Sequence, residues 1–211
     1  QVLALISFLQ DAQISKLGTQ EKGLNKQTCM IVCPTSLIHT WQNEIVRFLP
    51  DKLALVLHGP GRNKLFKTIK NADIVITSYG SLCRDLTHYE NYLFPLVVAD
   101  EASVLKNPRS QVAKSLSTIS SSSRIALSGT PIENTIQDLW AVMNFANPGY
   151  LDHQKAFLAR YSSASEESMK GLRRRIAPFI LRRTKREVAS ELPSKIEKII
   201  YCELNRQQLK A

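Results

Sequence analysis

The sequence predicts an α/β fold, a parallel sheet with helices on both faces, and three observations carry that expectation. Short apolar runs alternate with segments of helical period along the first two thirds of the chain, and strict strand–helix alternation implies crossover units and a parallel sheet. Several of the apolar runs end in polar punctuation, as CPTS, TSYG, ADEAS and SGTPIEN. After Pro148-Gly149 the alternation stops and basic helical segments take over.

The elements run in this order. Val2, Leu5, Ile6 and Leu9 repeat at helical spacing. TCMIVCPT (28–35) reads as a strand running into a Pro-Thr turn. SLIHTWQNEIVRFLP (36–50) reads as an amphipathic helix capped by Ser36, with Leu37, Trp41, Ile45 and Phe48 as its buried stripe. Trp41 has the ring to stack on a base, but its place in that stripe favours core packing. Next come strand 52–59, a basic helix around Arg62 to Lys70, strand 73–80, and a helix around Ser81 to Tyr92. The run Pro95 to Ala99 is a buried strand, followed by a helix at Ser110 to Ile119, strand 124–131, and a helix from about Asn134 to Phe145. The Ser-rich stretch before Arg124 reads as a loop, and IEKIIYCEL (196–204) as a last extended segment.

Composition narrows the function classes. With 211 residues, 44% of them hydrophobic, the chain can bury one sizeable core and a small second lobe. No apolar run approaches the ~20 residues of a membrane span, so no membrane partner is expected. The chain opens with Gln rather than Met, lacks a basic segment of signal-peptide type, and reads as a piece of a longer protein. Cys29, Cys33, Cys83 and Cys202 form no CxxC pair, which suits reduced buried thiols in a reducing, intracellular compartment. The net charge of +10 is concentrated: residues 151–186 hold ten basic and three acidic side chains. A solvated helical face would explain such a run, and so would a polyanion such as nucleic acid.

Chemistry gathers at VVADEASVLKN (97–107), where a buried strand delivers Asp100 and Glu101 to the carboxyl edge of the sheet. Ligands bind at that edge in open parallel sheets. A carboxylate there suits a metal ion, and hydroxyls or backbone amides there suit phosphates. An Asp-Glu turn capping the next helix is the plainer alternative, and taken singly the Ser and Thr residues at strand ends are turn formers.

In this order the motifs resemble the Snf2 (Swi2/Snf2-like) family of superfamily 2 DNA translocases. IVCPTSLIHTWQNEI resembles its motif Ia, VITSYGSL its TS segment, VVADEASVLKN its motif II and RIALSGTPIENTIQDLW its motif III. The continuation FILRRTK with the LP that comes after it is similar to the segment closing the first motor lobe. The resemblance implies a RecA-like, P-loop NTPase fold of the lobe 1 type with a basic helical extension. It implies ATP and Mg²⁺ as cofactors, with Asp100 holding Mg²⁺ and Glu101 activating the attacking water, chemistry in which electrostatic positioning dominates. Ser128, Gly129 and Thr130 would couple the nucleotide site to the DNA site. Thr35, Ser36, Thr77 and Ser78 would touch the backbone of double-stranded DNA, which positions the protein without reading sequence. Lys106 and Arg109 would add phosphate contacts, against the alternative of a solvated turn before a helix begun at Pro108.

The implied partners are duplex DNA, a second RecA-like lobe of the same polypeptide, and protein–DNA complexes as the remodelled substrate. The implied place is the nucleoid-bearing cytoplasm of a prokaryote or the nucleus of a eukaryote. The expected domains are a RecA-like lobe at 1–148, a basic extension at 149–195 and a lead into the second lobe at 196–211. Two departures stand out. Ser103 occupies the fourth place of the DEAx box, where the family usually has His or Gln, and no GxxxxGK[ST] occurs in the 211 residues. The second departure keeps a rival open, a non-catalytic DNA-binding or scaffold module, and predicts that these 211 residues alone do not turn over ATP. A DEAD-box RNA helicase is disfavoured because its motif III usually reads Ser-Ala-Thr.

Overall fold

A computed structural model of the chain describes residues 1–17, 28–129, 135–183 and 187. Five strands, β1 (Cys29–Cys33), β2 (Ala54–Leu57), β3 (Ile74–Ser78), β4 (Phe94–Ala99) and β5 (Ser121–Ala126), form one sheet in the order β2-β3-β1-β4-β5. Every neighbouring pair is parallel. The three inner strands are buried along their whole length, as expected of a sheet covered on both faces.

The two faces are filled by alternate residues of the same strands. On one, Met30 and Val32 of β1, Val75 of β3 and Val97 of β4 pack with Phe66, Tyr89, Leu116 and Phe145. On the other, Cys29, Ile31 and Cys33 join Ile74, Ile76 and Val98 beneath Leu3 and Ile6 of α1 (Val2–Leu17) and Ile38 and Ile45 of α2 (Ile38–Phe48). The period-two alternation of β1 thus serves two cores at once.

Several local expectations change. Residues Thr35–Leu37 make a 3-10 turn, and α2 starts at Ile38 with no side-chain cap, so Ser36 does not cap it. Ile38 joins Ile45 inside, while Phe48 is 57% exposed and Leu37 and Trp41 are half-buried. The basic segment after β2 is 3-10 helical over Pro60–Asn71, entered at Gly59, whose φ of 81° suits glycine. It buries Phe66 and Ile69, which sit on one face at a three-residue period.

The helix after β3 is short. α3 (Tyr79–Arg84) is capped by Ser78 and ends at Asp85, which Arg62 grips through two hydrogen bonds of 2.6 and 2.9 Å. α4 (Gln111–Thr118) begins three residues beyond Pro108, where Ser110 accepts a hydrogen bond from Ala113 N–H. β5 reaches back into the Ser-rich stretch, because Ser121 and Ser123 pair with Phe94 and Leu96 of β4. Pairing with a buried neighbour outweighs the turn preference of serine there. α5 (Ile136–Ala146) is capped by Thr135.

The chain divides into two compact units, residues 1–164 and 165–211. The first includes α6 (Gln154–Tyr161), and in it the Trp140 indole donates to the Asp152 carbonyl at 3.1 Å. The second includes α7 (Glu166–Ile176), capped by Ser165, with Glu166 and Glu167 in its first turn and Arg173, Arg174 and Arg175 in its last. That arrangement complements the helix dipole. The expected segment 196–204 lies outside the described residues.

Candidate active site at the carboxyl edge of the sheet

The site is built where β4 leaves the sheet. Asp100 N–H donates to the Val32 carbonyl of β1 at 2.8 Å, and on the other side Leu127 N–H donates to Ala99 and Ala102 N–H to Leu127, both at 2.8 Å. The Asp-Glu pair is therefore held between the ends of β1 and β5. Glu101 turns the chain with φ 50° and ψ 54°, a left-handed conformation in a residue that has a Cβ. This costs on the order of 1–2 kcal/mol. The turn leads into a 3-10 stretch, Ala102–Lys106, and leaves the Glu101 side chain exposed.

Asp100 is half-buried, and each of its carboxylate oxygens accepts one N–H. Oδ1 takes the Glu101 amide at 2.9 Å and Oδ2 takes the Trp41 indole Nε1–H at 2.8 Å. The Tyr79 hydroxyl donates to the main-chain carbonyl of the same residue. Trp41 and Tyr79 are the partners that reading by periodicity missed. The available signal was their donor chemistry: an indole N–H and a phenol O–H close to a strand end each need an acceptor when covered.

The thiol and the phenol nearest Asp100 carry no charge. Burial, and then the nearby Asp100, push the Cys33 thiol up to about 12 and raise Tyr79 above the ordinary phenol range, so both stay protonated. Beside Asp100 lies a cavity of about 650 Å³ between the first turn of α1 and α2, with Trp41, Thr40, Glu44 and Phe48 in its walls.

Among the described residues no three His, Cys, Asp or Glu side chains gather as a metal cage. An oriented carboxylate beside a cavity fits Mg²⁺, which takes one or two protein carboxylates and completes its octahedron with water and substrate phosphates. Asp100 is the residue that would hold it.

The other expected site residues divide. Thr35 and Ser36 are exposed in the turn after β1. Thr77 and Ser78 are buried, at 0% and 2% exposure. Thr77 Oγ1 donates to the Leu57 carbonyl at 3.0 Å, and Ser78 Oγ accepts from Ser81 N–H at 3.2 Å, donates to Ser81 Oγ at 3.0 Å and lies 3.3 Å from His58 Nδ1. These hydroxyls serve the fold in this arrangement and are not presented to a ligand, because β3 is an inner strand whose end is covered by α3. Arg109 is exposed and Lys106 half-buried; Arg109 N–H donates to Asn107 Oδ1 at 3.0 Å, so Asn107 shapes the turn between them. Ser103 Oγ lies 3.4 Å from the Glu101 carbonyl. Ser128 is half-buried and Gly129 exposed, and Thr130 lies outside the described residues.

The profile of the SNF2-related domain matches residues 1–211. Curated relatives include a TATA-binding protein-associated factor mot1 of Aspergillus fumigatus, 35% identical over 91% of this chain and 11% of the relative. A putative ATP-dependent helicase/translocase YwqA of Bacillus subtilis is 35% identical over 91% of this chain and 22% of its own length. Among solved structures, the Sulfolobus solfataricus SWI2/SNF2 ATPase core in complex with dsDNA superposes with a TM-score of 0.73 at 34% identity, covering 94% of this chain and 42% of that one. The chain thus spans a minority of the length of each of these relatives.

Proposed function

The chain belongs to the SNF2-related domain family, and from that premise we propose that it is the first RecA-like lobe of an ATP-driven translocase on double-stranded DNA. The observation that carries the reading is Asp100: a carboxylate delivered by a central parallel strand, fixed by two N–H donors and facing a cavity at the start of α1. Bound Mg²⁺ would neutralise charge developing on transferred phosphate oxygens. Asp100 orients that cation, and Glu101, exposed one residue further on a strained turn, takes the proton of the attacking water.

Duplex DNA is the proposed track, met through its phosphates by the exposed Thr35, Ser36 and Arg109 and the half-buried Lys106. Protein–DNA complexes are the proposed substrate, and a relative named as a TATA-binding protein-associated factor supports that class. The proposed location is that of the DNA, nucleoid or nucleus. With no GxxxxGK[ST] in its sequence, the 211-residue chain by itself is expected not to turn over ATP.

ATP turnover by the whole protein, with and without duplex DNA, tests the reading against a Glu101→Gln variant. The expected result is stimulation by duplex and a loss of at least about a hundredfold in the variant. Duplex binding with no turnover in either protein would establish the scaffold alternative instead.

A further inference from the structure

The Asp100 carboxylate is flanked by two donors from different elements, and only one of them is local. Glu101 N–H comes with the turn itself, whereas the Trp41 indole reaches across from α2, 59 residues earlier in the chain, to Oδ2 at 2.8 Å. Tyr79, at the start of α3, holds the backbone of the same residue through its carbonyl. We propose that Trp41 and Tyr79 are positioning residues for the cation-holding carboxylate, Trp41 fixing its plane and Tyr79 fixing the main chain that bears it. The inference rests on the role proposed for Asp100 under the functional reading.

The physical case is one of directions. A carboxylate has about four lone-pair sites. Two of them are taken by N–H groups, one on each oxygen, so rotation about the Cα–Cβ and Cβ–Cγ bonds would break a hydrogen bond whichever way it turned. The remaining lone pairs stay free for a cation or its water. Each donor carries no net charge and so leaves the full negative charge on Asp100, unlike an arginine or lysine, which would compete with a cation. Groups that orient a metal's carboxylate from behind typically change metal affinity or activity 10- to 100-fold when removed.

Trp41 is half-buried and packs at the margin of the core that Ile38 and Ile45 of α2 enter fully. Ring packing does not require the Nε1–H to meet Asp100 Oδ2 at 2.8 Å, and that hydrogen bond is the part the proposal concerns. Tyr79, by contrast, is 7% exposed and belongs to the core, so its hydroxyl is the part free to be tested.

The experiment uses the whole protein with Mn²⁺ as the probe and AMP-PNP as the nucleotide, Mn²⁺ binding being read by electron paramagnetic resonance. Trp41→Phe keeps a ring and removes the N–H; Tyr79→Phe keeps the ring and removes the O–H. The expected result is Mn²⁺ bound about tenfold more weakly in Trp41→Phe and severalfold more weakly in Tyr79→Phe, with unchanged melting temperature and unchanged nucleotide affinity in the absence of Mn²⁺. Wild-type Mn²⁺ affinity in a folded Trp41→Phe protein would overturn the role of Trp41. Should that variant fail to fold, Tyr79→Phe decides, and unchanged Mn²⁺ affinity there would overturn the proposal. If the wild-type protein binds no Mn²⁺ with AMP-PNP, the functional reading of Asp100 itself fails, and this inference with it.

Discussion

The carboxyl ends of β3 and β4 lie on the same edge of one sheet, separated only by β1, and both end in polar residues, Thr77-Ser78 and Asp100-Glu101. They do opposite things. At β3 the side chains turn inward: two hydroxyls buried to 2% exposure or less are consumed by the Leu57 carbonyl, the cap of α3 and His58. At β4 other elements turn toward the strand end: the Trp41 indole donates to a half-buried carboxylate and the Tyr79 hydroxyl to the main-chain carbonyl of the same residue. The contrast separates polar residues that close a fold from polar residues that a fold presents. The next element in the chain decides which of the two a strand end becomes: a capped helix is laid over β3, and a left-handed turn leads away from β4.

The largest effect expected from that contrast is chemical. Asp100→Asn in the whole protein should cut ATP turnover by at least about a hundredfold while leaving the melting temperature near that of the wild type. A large stability loss would make the end of β4 structural, like that of β3.

The converse holds at Ser78. Ser78→Ala removes a helix cap and a buried hydroxyl and should cost about 1–2 kcal/mol in denaturant unfolding, with duplex affinity unchanged. A fall in duplex affinity without a stability loss would restore Ser78 as a DNA contact.

A smaller effect concerns the groups packed below the edge. Burial pushes the Cys29 thiol up from 9.0 to about 11 and raises Tyr89, which packs under β3 with Phe66 and Phe94, beyond the usual phenol range. Both are protonated in the folded chain and lose the proton more readily when unfolded. Stability should be fully present below about pH 9 and decline as pH rises through 11. Denaturant midpoints at pH 8, 9, 10 and 11 measure this, and a flat series would contradict the burial of these groups.

Much of this was legible in the sequence, for physical reasons that differ by element. The inner strands announced themselves because a strand buried on both faces must be apolar throughout, as CMIVC and FPLVVA are. The position of the Asp-Glu pair at the end of β4 was legible from the strand before it, whereas its chemistry was not, since a turn capping the next helix suited the same residues and only the family resemblance chose between the two. The start of β5 was not, since Ser121–Ser123 carry a loop composition and are held extended only by β4. Nor was the long 3-10 stretch Pro60–Asn71, whose apolar spacing also fits an α-helix. Trp41 was placed in a core stripe on periodicity alone, whereas its half-buried indole donates to Asp100. Periodicity reports which side a residue faces and is silent about a hydrogen bond made 59 residues away.

If the end of β4 presents a carboxylate to a nucleotide-bound cation, that cation can be located. Anomalous diffraction from Mn²⁺ in crystals of the whole protein with AMP-PNP does so. The expected result is a metal peak bound to Asp100, directly or through one water. A peak held elsewhere, with Asp100 still bonded to Trp41 and turned away from the metal, would contradict the role assigned to this strand end.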